Sequence, residues 1–306
     1  MPEPFDVSVI TASFNLLSGG RREQMLRCLE SIRSQQDVRI EHLVIDGAST
    51  DGTLDFLKSY ENQGWIKIFS EPDKGIYDAF NRGIAKAQGE YVCFINSDDY
   101  LNNPAGLAEA VKALRHSRAD FSYSPVSYEK AGKIIDNDEN VIDFRTIFGA
   151  MACCHQGMVF KRSLFERVGP HNIKYKISAD YDFILRSLLK GASFVKVPLS
   201  YAVFSKDGLS GTHMDMLNAE SVEVKRCVYN CSKQLAQEIE DNRKMPLWLL
   251  LRILWQTSLR DKRKYLFYWK HYEKLKQLRH WLLTFRLRKG RRVIRIMGIN
   301  LINEDK

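Results

Sequence analysis

The first hundred residues alternate short apolar runs with segments whose apolar residues recur at helical spacing. Compact apolar runs predict strands at Val7–Ile10, His42–Ile45, Ile66–Phe69 and Tyr91–Ile95. The spacing predicts one helix near residues 25–32 and another over 76–87, which Gly89 would end in the left-handed conformation. Strands that alternate with helices build βαβ units with right-handed crossovers. We therefore expect an α/β fold with a Rossmann-like, mostly parallel sheet flanked by helices.

The pattern changes twice along the rest of the chain. Pro104 favours the start of a further helix, and a turn at Ala131–Gly132 predicts a hairpin before a second α/β stretch. From about Met214 the pattern is helical, with a break at Pro246. We predict three parts, at 1–103, 104–213 and 214–306, of which the last is helical.

Charge separates the C-terminal region from the rest of the protein. Residues 243–306 hold 18 Lys or Arg and only 4 Asp or Glu, although the whole chain carries a net charge of +9. Aromatic and leucine residues are interleaved with these basic residues. Such amphipathic basic helices bind anionic membrane surfaces, and a helical cap or a nucleic-acid-binding tail has the same composition. We favour the membrane and expect no nucleic acid.

Neither the termini nor the cysteines indicate export. The first ten residues lack the basic and apolar regions of a signal peptide, and the six cysteines form no disulfide or zinc pattern. The apolar run 247–255 is shorter than the ~20 residues that span a bilayer. We expect a cytoplasmic protein that lies peripherally on the inner leaflet of the plasma membrane.

Polar residues cluster where three predicted strands end, at residues 11–15, 46–53 and 96–99. In an open parallel sheet, ligands bind beyond the carboxyl ends of the strands. The sequence has no GxGxxG after the first strand and no GxxxxGK[ST], which excludes the usual glycine-rich phosphate cradles. The pair Asp98 and Asp99 favours instead a divalent cation, Mg²⁺ or Mn²⁺, although acidic pairs also occur in ordinary turns.

Several ordered motifs together resemble family 2 glycosyltransferases of the GT-A fold. They are the runs 7–15, 41–53, 71–81 and 89–100, followed by His155-Gln156-Gly157 and by residues 178–182. The run DKGIYDAFNRGIAKAQGEYVCFINSDDYL is similar to bacterial members that build capsule, O-antigen or exopolysaccharide. The resemblance covers about residues 5–210 and leaves the C-terminal region outside it. It implies a GT-A domain at 1–213 with a nucleotide-sugar-binding half at 1–103 and an acceptor-binding half at 104–213.

The resemblance implies roles for residues of the first half. Nucleotide-sugar contacts are expected from Thr11, Ser13, Asn15, Asp46, Lys74, Asn81 and Asp98. Asp46 would accept a hydrogen bond from the base, which favours uracil or thymine. Asp99, assisted by Asp98, would bind the metal. Asn96 stands where many relatives have aspartate.

In the second half, the resemblance implies that Asp180 is the catalytic base. Ala179 precedes it where many members have glutamate, and Ser178 or Asp180 is equally suited to cap the following helix. We expect a structural role for Asp182. His155, Gln156 and, from a Gly/Ser-rich loop, His213 are candidates to contact the acceptor or the diphosphate.

The implied reaction is inverting transfer of a hexosyl or N-acetylhexosaminyl group from a nucleoside-diphosphate sugar, UDP-linked by preference. The acceptor would be a glycan, growing or linked to a polyprenyl diphosphate. Two alternatives remain open: a nucleotidyltransferase, which also combines a parallel sheet with metal-binding acids, and a non-catalytic binding protein of the same fold.

Overall fold

The protein is analysed as a computed structural model. It describes residues 4–130, 133–137, 148–151, 154–205, 213–242, 246, 249, 286–288, 291–296 and 299–302, the last three ranges by backbone alone. The chain divides into two compact units, Met1–Leu247 and Trp248–Lys306.

The described elements follow the predicted alternation. The helices are α1 (Arg22–Arg33), α2 (Thr53–Glu61), α3 (Ile76–Lys86), α4 (Gly106–Ser117), α5 (Arg162–Val168), α6 (Ala179–Leu189), α7 (Met214–Tyr229) and α8 (Lys233–Asn242). The strands of the first unit are β1 (Val7–Ser13), β2 (Ile40–Asp46), β3 (Lys67–Ser70), β4 (Tyr91–Phe94), β5 (Tyr100–Leu101), β6 (Phe121–Tyr123), β7 (Val126–Lys130), β8 (Lys133–Asn137), β9 (Met158–Lys161), β10 (Phe194–Lys196) and β11 (Ala202–Phe204). Those of the second unit are β12 (Arg286–Arg288), β13 (Arg291–Ile296) and β14 (Ile299–Ile302).

A seven-stranded sheet forms the centre of the first unit. Its strand order is β10-β6-β9-β4-β1-β2-β3, and every neighbouring pair is parallel except the two that involve β9. The predicted α/β fold is therefore confirmed. β1 and β2 pair over their full length, so that Ser13 lies beside Asp46 at their carboxyl ends. β1 lies between β2 and β4, and the chain leaves the sheet in opposite directions on its two sides. This is the point where ligands bind in open α/β sheets.

A smaller sheet covers the second half of this unit. Its order is β5-β11-β7-β8, and β7 and β8 form an antiparallel hairpin. The pairing of Lys130 with Lys133 confirms the predicted hairpin, whereas Ala131 and Gly132 themselves lie outside the described residues.

Aromatic packing joins the second half to the main sheet. The rings of Phe165 and Phe183 stack with centroids 4.2 Å apart, and Phe80 lies 4.6 Å from Phe94. The ring of His171 lies between 5.2 and 6.2 Å from all four of these rings. Burial lowers the pKa of His171 to about 3, which keeps the imidazole uncharged in this apolar surrounding. One cluster therefore connects α3, β4, α5 and α6.

The boundary between the two compact units lies after Leu247, whereas the predicted domain boundary lies after residue 213. Helices α7 and α8 belong to the first unit because their side chains bond to it: Tyr229 Oη donates to the carbonyl of Phe148 at 2.6 Å.

The helical prediction for the C-terminal region holds at 214–242 but is wrong at 286–302, where the structure has a three-stranded antiparallel sheet. Only two residues separate β12 from β13 and β13 from β14, and each pair ends in glycine, a typical hairpin connection. The β-branched content of RRVIRI favours the strand. The residues between 250 and 285 lie outside the described part of the chain.

Within the described residues, the structure contains no helix that is both long and apolar enough to cross a bilayer.

Gly89 is required for a different reason from the one expected. It is absent from the residues with positive φ, so the left-handed explanation is wrong. A Cβ atom on Gly89 would lie 2.5 Å from the backbone nitrogen of Ser8, at the start of β1. The connection before β4 therefore passes too close to β1 for any side chain.

Replacement of Gly89 tests this close contact. Gly89→Ala is expected to lower the free energy of unfolding by about 1–3 kcal/mol, as overpacking does, and the larger Gly89→Asn is expected to cost more. Denaturant titration of the three proteins measures the order. A left-handed site would give the opposite order, because asparagine tolerates positive φ better than alanine.

Candidate active site

A cleft of about 610 Å³ opens at the carboxyl edge of the main sheet. Its lining residues come from the ends of β1 and β4, the start of α3, the turn before β9 and the start of α6. They are Ala12, Ser13, Phe14, Arg21, Asp73, Gly75, Ile76, Tyr77, Asn96, Ser97, Asp98, Asp99, His155, Gln156, Lys176, Ile177, Asp180, Phe204 and Ser205. The topology thus brings the predicted acidic pair and the predicted base into one cleft.

Asp99 lies at the bottom of the acidic side and is only 2% exposed. One carboxylate oxygen accepts a hydrogen bond from Gln156 Nε2 at 2.7 Å, and the other accepts one from the backbone nitrogen of Ser205 at 2.9 Å. Burial, together with repulsion from Asp98, raises the pKa of Asp99 to about 6. A cation in the cleft would relieve this repulsion.

The residues on the acidic side fit a hard divalent cation. Asp98 is partly exposed in the cleft beside Asp99. The side-chain oxygen of Asn96, which also lines the cleft, is buried and has no hydrogen-bond partner in the described part of the chain. An orphaned amide oxygen next to two carboxylates supplies the oxygen ligands that Mg²⁺ and Mn²⁺ prefer. Among the described residues, no three His, Cys, Asp or Glu side chains gather as a metal cluster by themselves.

Asp180 lies across the cleft in the first turn of α6, with 15% of its side chain exposed. Its Oδ2 atom is 3.3 Å from Nδ1 of His155, which stands on a single 3-10 turn ahead of β9. The other ring nitrogen of His155 is 3.4 Å from Nδ2 of Asn96. His155 therefore bridges the acidic side and Asp180. An Asn96 amide that donates to Nε2 requires the imidazole proton on Nδ1, where it points at the Asp180 carboxylate.

Asp46 and Thr11 lie behind the cleft lining. The Asp46 carboxylate is fully buried and accepts hydrogen bonds from the hydroxyls of Ser13, Ser49 and Ser70 and from the backbone nitrogen of Ser49. The hydroxyl of Thr11 donates to the carbonyl oxygen of residue 95 and contacts a ring nitrogen of the histidine at position 42. Both side chains hold neighbouring strand ends together.

Four other predicted residues also lie outside the lining. Asn15 has a φ of 43°, and its side-chain oxygen accepts the backbone N–H of Thr50. Asn81 exchanges two hydrogen bonds with the backbone of His171. Lys74 is exposed, and His213 is exposed just ahead of α7.

Phe14, to which no sequence motif assigns a role, and Asp73, which belongs to the motif segment 71–81, also line the site. Phe14 is 55% exposed at the end of β1. A Cβ atom on Gly47 would lie 3.2 Å from the Phe14 ring and 2.8 Å from Asp73 Oδ2, so the ring and the carboxylate both approach the same bare backbone. Phe14 stands inside the polar run at the end of the first strand, and its exposure is what separates it from a core residue.

Among the described residues, Arg21 and Lys176 are the lysine and arginine side chains that line the cleft. The residue predicted to contact the nucleotide sugar was Lys74. The two lysines are neighbours, because Lys176 Nζ donates to the backbone carbonyl of Lys74 at 3.2 Å. This pair is 102 residues apart in the chain, so no local pattern indicates which ammonium group faces the cleft.

Comparison with known proteins finds glycosyltransferases among the relatives of this chain. The sequence model of glycosyl transferase family 2 matches residues 8–169, which is more than half of the 306 residues. An uncharacterised glycosyltransferase of Mycobacterium tuberculosis is 36% identical over 187 residues, covering 60% of this chain and 69% of the relative. A PGL/p-HBAD biosynthesis glycosyltransferase of Mycobacterium bovis is 32% identical over 200 residues, covering 61% and 74%.

Solved structures support the same fold. S. aureus TarS in complex with UDP-GlcNAc aligns with a TM-score of 0.60 at 16% identity, covering 98% of this chain and 99% of the other. A mannosyltransferase from Pyrobaculum calidifontis in complex with GDP-Man and Mn²⁺ gives 0.54 at 17% identity, covering 84% and 81%. The expected GT-A fold is thereby confirmed. The match over residues 8–169, together with the mycobacterial relatives, shows that the chain belongs to glycosyl transferase family 2.

Proposed function

We propose that this glycosyltransferase moves a sugar, with inversion, from a UDP-linked donor to a hydroxyl of a lipid-linked or growing cell-surface glycan. One observation carries the proposal: Asp180 faces Asp98 and Asp99 across a single cleft at the switch point of the sheet. A nucleotidyltransferase needs the metal-binding pair Asp98 and Asp99 but does not need a further carboxylate to deprotonate a sugar hydroxyl. A non-catalytic binding protein needs neither the metal-binding pair nor the base.

The nucleotide is proposed to bind at the end of β1. The exposed ring of Phe14 offers a flat apolar face for the base, and Ser13 and Asp73 lie beside it in the cleft. Asp46 supports this site by accepting the Ser13 hydroxyl at 3.2 Å. A donor of this class is in keeping with S. aureus TarS, which was solved with UDP-GlcNAc.

The other residues expected at the donor are proposed to act through the backbone they hold. Thr11 ties β1 to the end of β4, and Asn15 ties the end of β1 to Thr50. Asn81 anchors α3, at whose start the loop with Lys74 lies. That loop contacts the wall of the cleft, because Lys176, which lines the cleft, donates a hydrogen bond to the carbonyl of Lys74.

A divalent cation, Mn²⁺ or Mg²⁺, is proposed to be held by Asp98 and Asp99 with help from the Asn96 side-chain oxygen. Each Asp99 oxygen keeps a lone pair beside the hydrogen bond it accepts from Gln156 or Ser205. When bound, such a cation offsets the negative charge that develops on the leaving diphosphate. The P. calidifontis mannosyltransferase was solved with Mn²⁺.

Asp180 is proposed to take the proton from the acceptor hydroxyl as that oxygen attacks the anomeric carbon. His155 donates a hydrogen bond from Nδ1 to Oδ2 of Asp180, and the backbone N–H of Tyr181 donates one to Oδ1. Together they orient the carboxylate, whose remaining lone pairs can accept the proton. Because the attack comes from the face opposite the leaving diphosphate, one displacement inverts the anomeric carbon. Gln156 joins the turn that carries His155 to Asp99 by its hydrogen bond to the Asp99 carboxylate. His213 is proposed to approach the acceptor from the segment before α7.

The acceptor is proposed to be a glycan carried on a lipid at the cytoplasmic leaflet, and the basic C-terminal region is proposed to hold the enzyme there. The support is the charge of residues 243–306, with 18 basic and 4 acidic residues among many aromatic ones. The M. bovis relative is by name a glycosyltransferase of PGL/p-HBAD biosynthesis.

Substitution of Asp180 tests the reaction. Asp180→Asn is expected to lower kcat on the order of 10³-fold, since a positioned base typically contributes ~10²–10⁴-fold, and to leave UDP affinity unchanged. Activity is followed as UDP release from a panel of UDP-sugars with prenyl-diphosphate-linked monosaccharides as acceptors. Asp182→Asn is the control: Asp182 is 3% exposed and pairs with Arg186 at 2.7 Å, so this variant should lose thermal stability and keep turnover. Normal turnover by Asp180→Asn would remove the base from the proposal.

Metal dependence tests the acidic side. Mn²⁺ with UDP is expected to raise the Tm of the wild-type protein, and EDTA should abolish the shift. Asp99→Asn and Asp98→Asn should each lose most of the metal-dependent part. Asp55→Asn, on the exposed surface of α2, is the control and should keep it. An equal shift in all four proteins would show that the cation binds elsewhere.

Vesicle flotation tests the membrane proposal. The full chain is expected to float with vesicles of phosphatidylglycerol and phosphatidylcholine and to stay behind with phosphatidylcholine alone, because the attraction is electrostatic. High salt should release it. Equal flotation with both vesicle types, or none with either, would contradict the proposal.

A further inference from the structure

Helix α7 lies beyond the residues that the family model matches, yet one of its side chains reaches the segment that carries the proposed base. We propose that Glu220 is a positioning residue, which sets Asp180 in the cleft through the backbone that leads into it. This inference rests on the proposed function, because it assumes that Asp180 is the base.

The contact consists of three consecutive backbone amides on one carboxylate. Glu220 Oε1 accepts the N–H of Lys176 at 2.7 Å, and Oε2 accepts those of Ile177 and Ser178 at 2.9 and 3.0 Å. These amides immediately precede α6, and Ser178, the N-cap residue of that helix, makes no side-chain capping bond. Glu220 therefore supplies from another helix the negative group that a helix N-terminus favours.

Two further bonds hold the same segment from the opposite side. Tyr77 on α3 donates its hydroxyl to the carbonyl of Ile177, and the ammonium group of Lys176 donates to the carbonyl of Lys74. The N–H groups of the segment thus bond to α7, whereas its carbonyl and side-chain groups bond to α3 and the loop before it. The backbone that leads into Asp180 is clamped between the two.

Glu220 acts through this backbone and not by direct contact. Lys176, Ile177 and Asp180 line the cleft, whereas Glu220 is absent from its lining. In Glu220→Gln the neutral side chain keeps one acceptor oxygen and turns an amide donor toward amides that are themselves donors. We expect the segment to shift and to carry the Asp180 carboxylate away from His155 and from the acceptor.

Glu223 provides a matched control on the same helix. It lies three residues further on and pairs with Lys174 at 3.0 Å and with Arg226 at 2.6 Å. Its hydrogen bonds go to Lys174, Arg226 and Cys227 and not to the amides of residues 176–178. Glu223→Gln therefore makes the same chemical change in the same helix and leaves the clamp intact.

The experiment compares steady-state kinetics of the wild type, Glu220→Gln and Glu223→Gln. Since small misplacements of reacting groups cost ~10²-fold, Glu220→Gln is expected to lower kcat on the order of 10²-fold with the UDP dissociation constant unchanged. Glu223→Gln should stay near the wild type. In the Asp180→Asn background, Glu220→Gln should have little further effect, because both changes then act on the same carboxylate.

Amide hydrogen exchange of the peptide that spans residues 174–184 gives a second readout, independent of turnover. It should be faster in Glu220→Gln than in Glu223→Gln, with the rest of the first unit unchanged. Full turnover by Glu220→Gln, or additive effects with Asp180→Asn, would overturn the positioning role while the proposed function stands. Absence of sugar transfer by the wild type with every donor would overturn the proposed function, and with it the positioning role of Glu220.

Discussion

A single buried carboxylate holds together the edge of the sheet on which the site is built. Asp46 ends β2 and accepts hydrogen bonds from Ser13 at the end of β1, Ser70 at the end of β3 and Ser49 in the following loop. A carboxylate without exposure to water is costly unless its oxygens are satisfied, and four donors satisfy this one. The result is a rigid floor of three parallel strand ends, beside which β4 delivers Asp98 and Asp99.

The opposite wall of the cleft depends on aromatic packing as well as on hydrogen bonds. β9 runs antiparallel between β4 and β6, and the turn ahead of it brings His155 and Gln156 to the acidic pair. The aromatic cluster around His171 presses α6 against α3 and β4. Asp180 thereby reaches His155 from a helix that is otherwise buried on most of its surface. The donor side is thus held by hydrogen bonds to one buried carboxylate, and the acceptor side by aromatic packing together with the hydrogen bonds of the segment before Asp180.

The residues recognised from sequence motifs divide into two groups in the structure. Asp98, Asp99, His155, Gln156, Asp180 and Ser13 line the cleft. Thr11, Asn15, Asp46 and Asn81 instead hold strand ends and loops in place, each through at least one hydrogen bond with a residue more than 30 positions away. A motif marks both groups alike, because a family pattern does not separate a side chain that touches the ligand from one that holds the backbone behind it.

The C-terminal region shows where local pattern was insufficient. Interleaved basic and aromatic residues suggested helices to the end of the chain, yet residues 286–302 pair as strands. The signal was available in two glycine-ended, two-residue gaps between β-branched runs, and it was outweighed by the amphipathic composition around it. A strand is stabilised by its pairing with another segment, so the residues of one segment alone predict it poorly.

The sequence by itself determined the alternation of strands and helices, the carboxyl edge that bears the site and the acidic residues on it, because hydrophobic periodicity and strand-end chemistry are local. Tertiary structure alone decided that Lys176 faces the cleft in place of Lys74, that Phe14 is exposed there, and that Glu220 holds the segment before Asp180. The first and the third depend on which groups meet across 42 to 102 residues of chain. Such meetings follow from the packing of whole helices against the sheet, and no local run of residues encodes them.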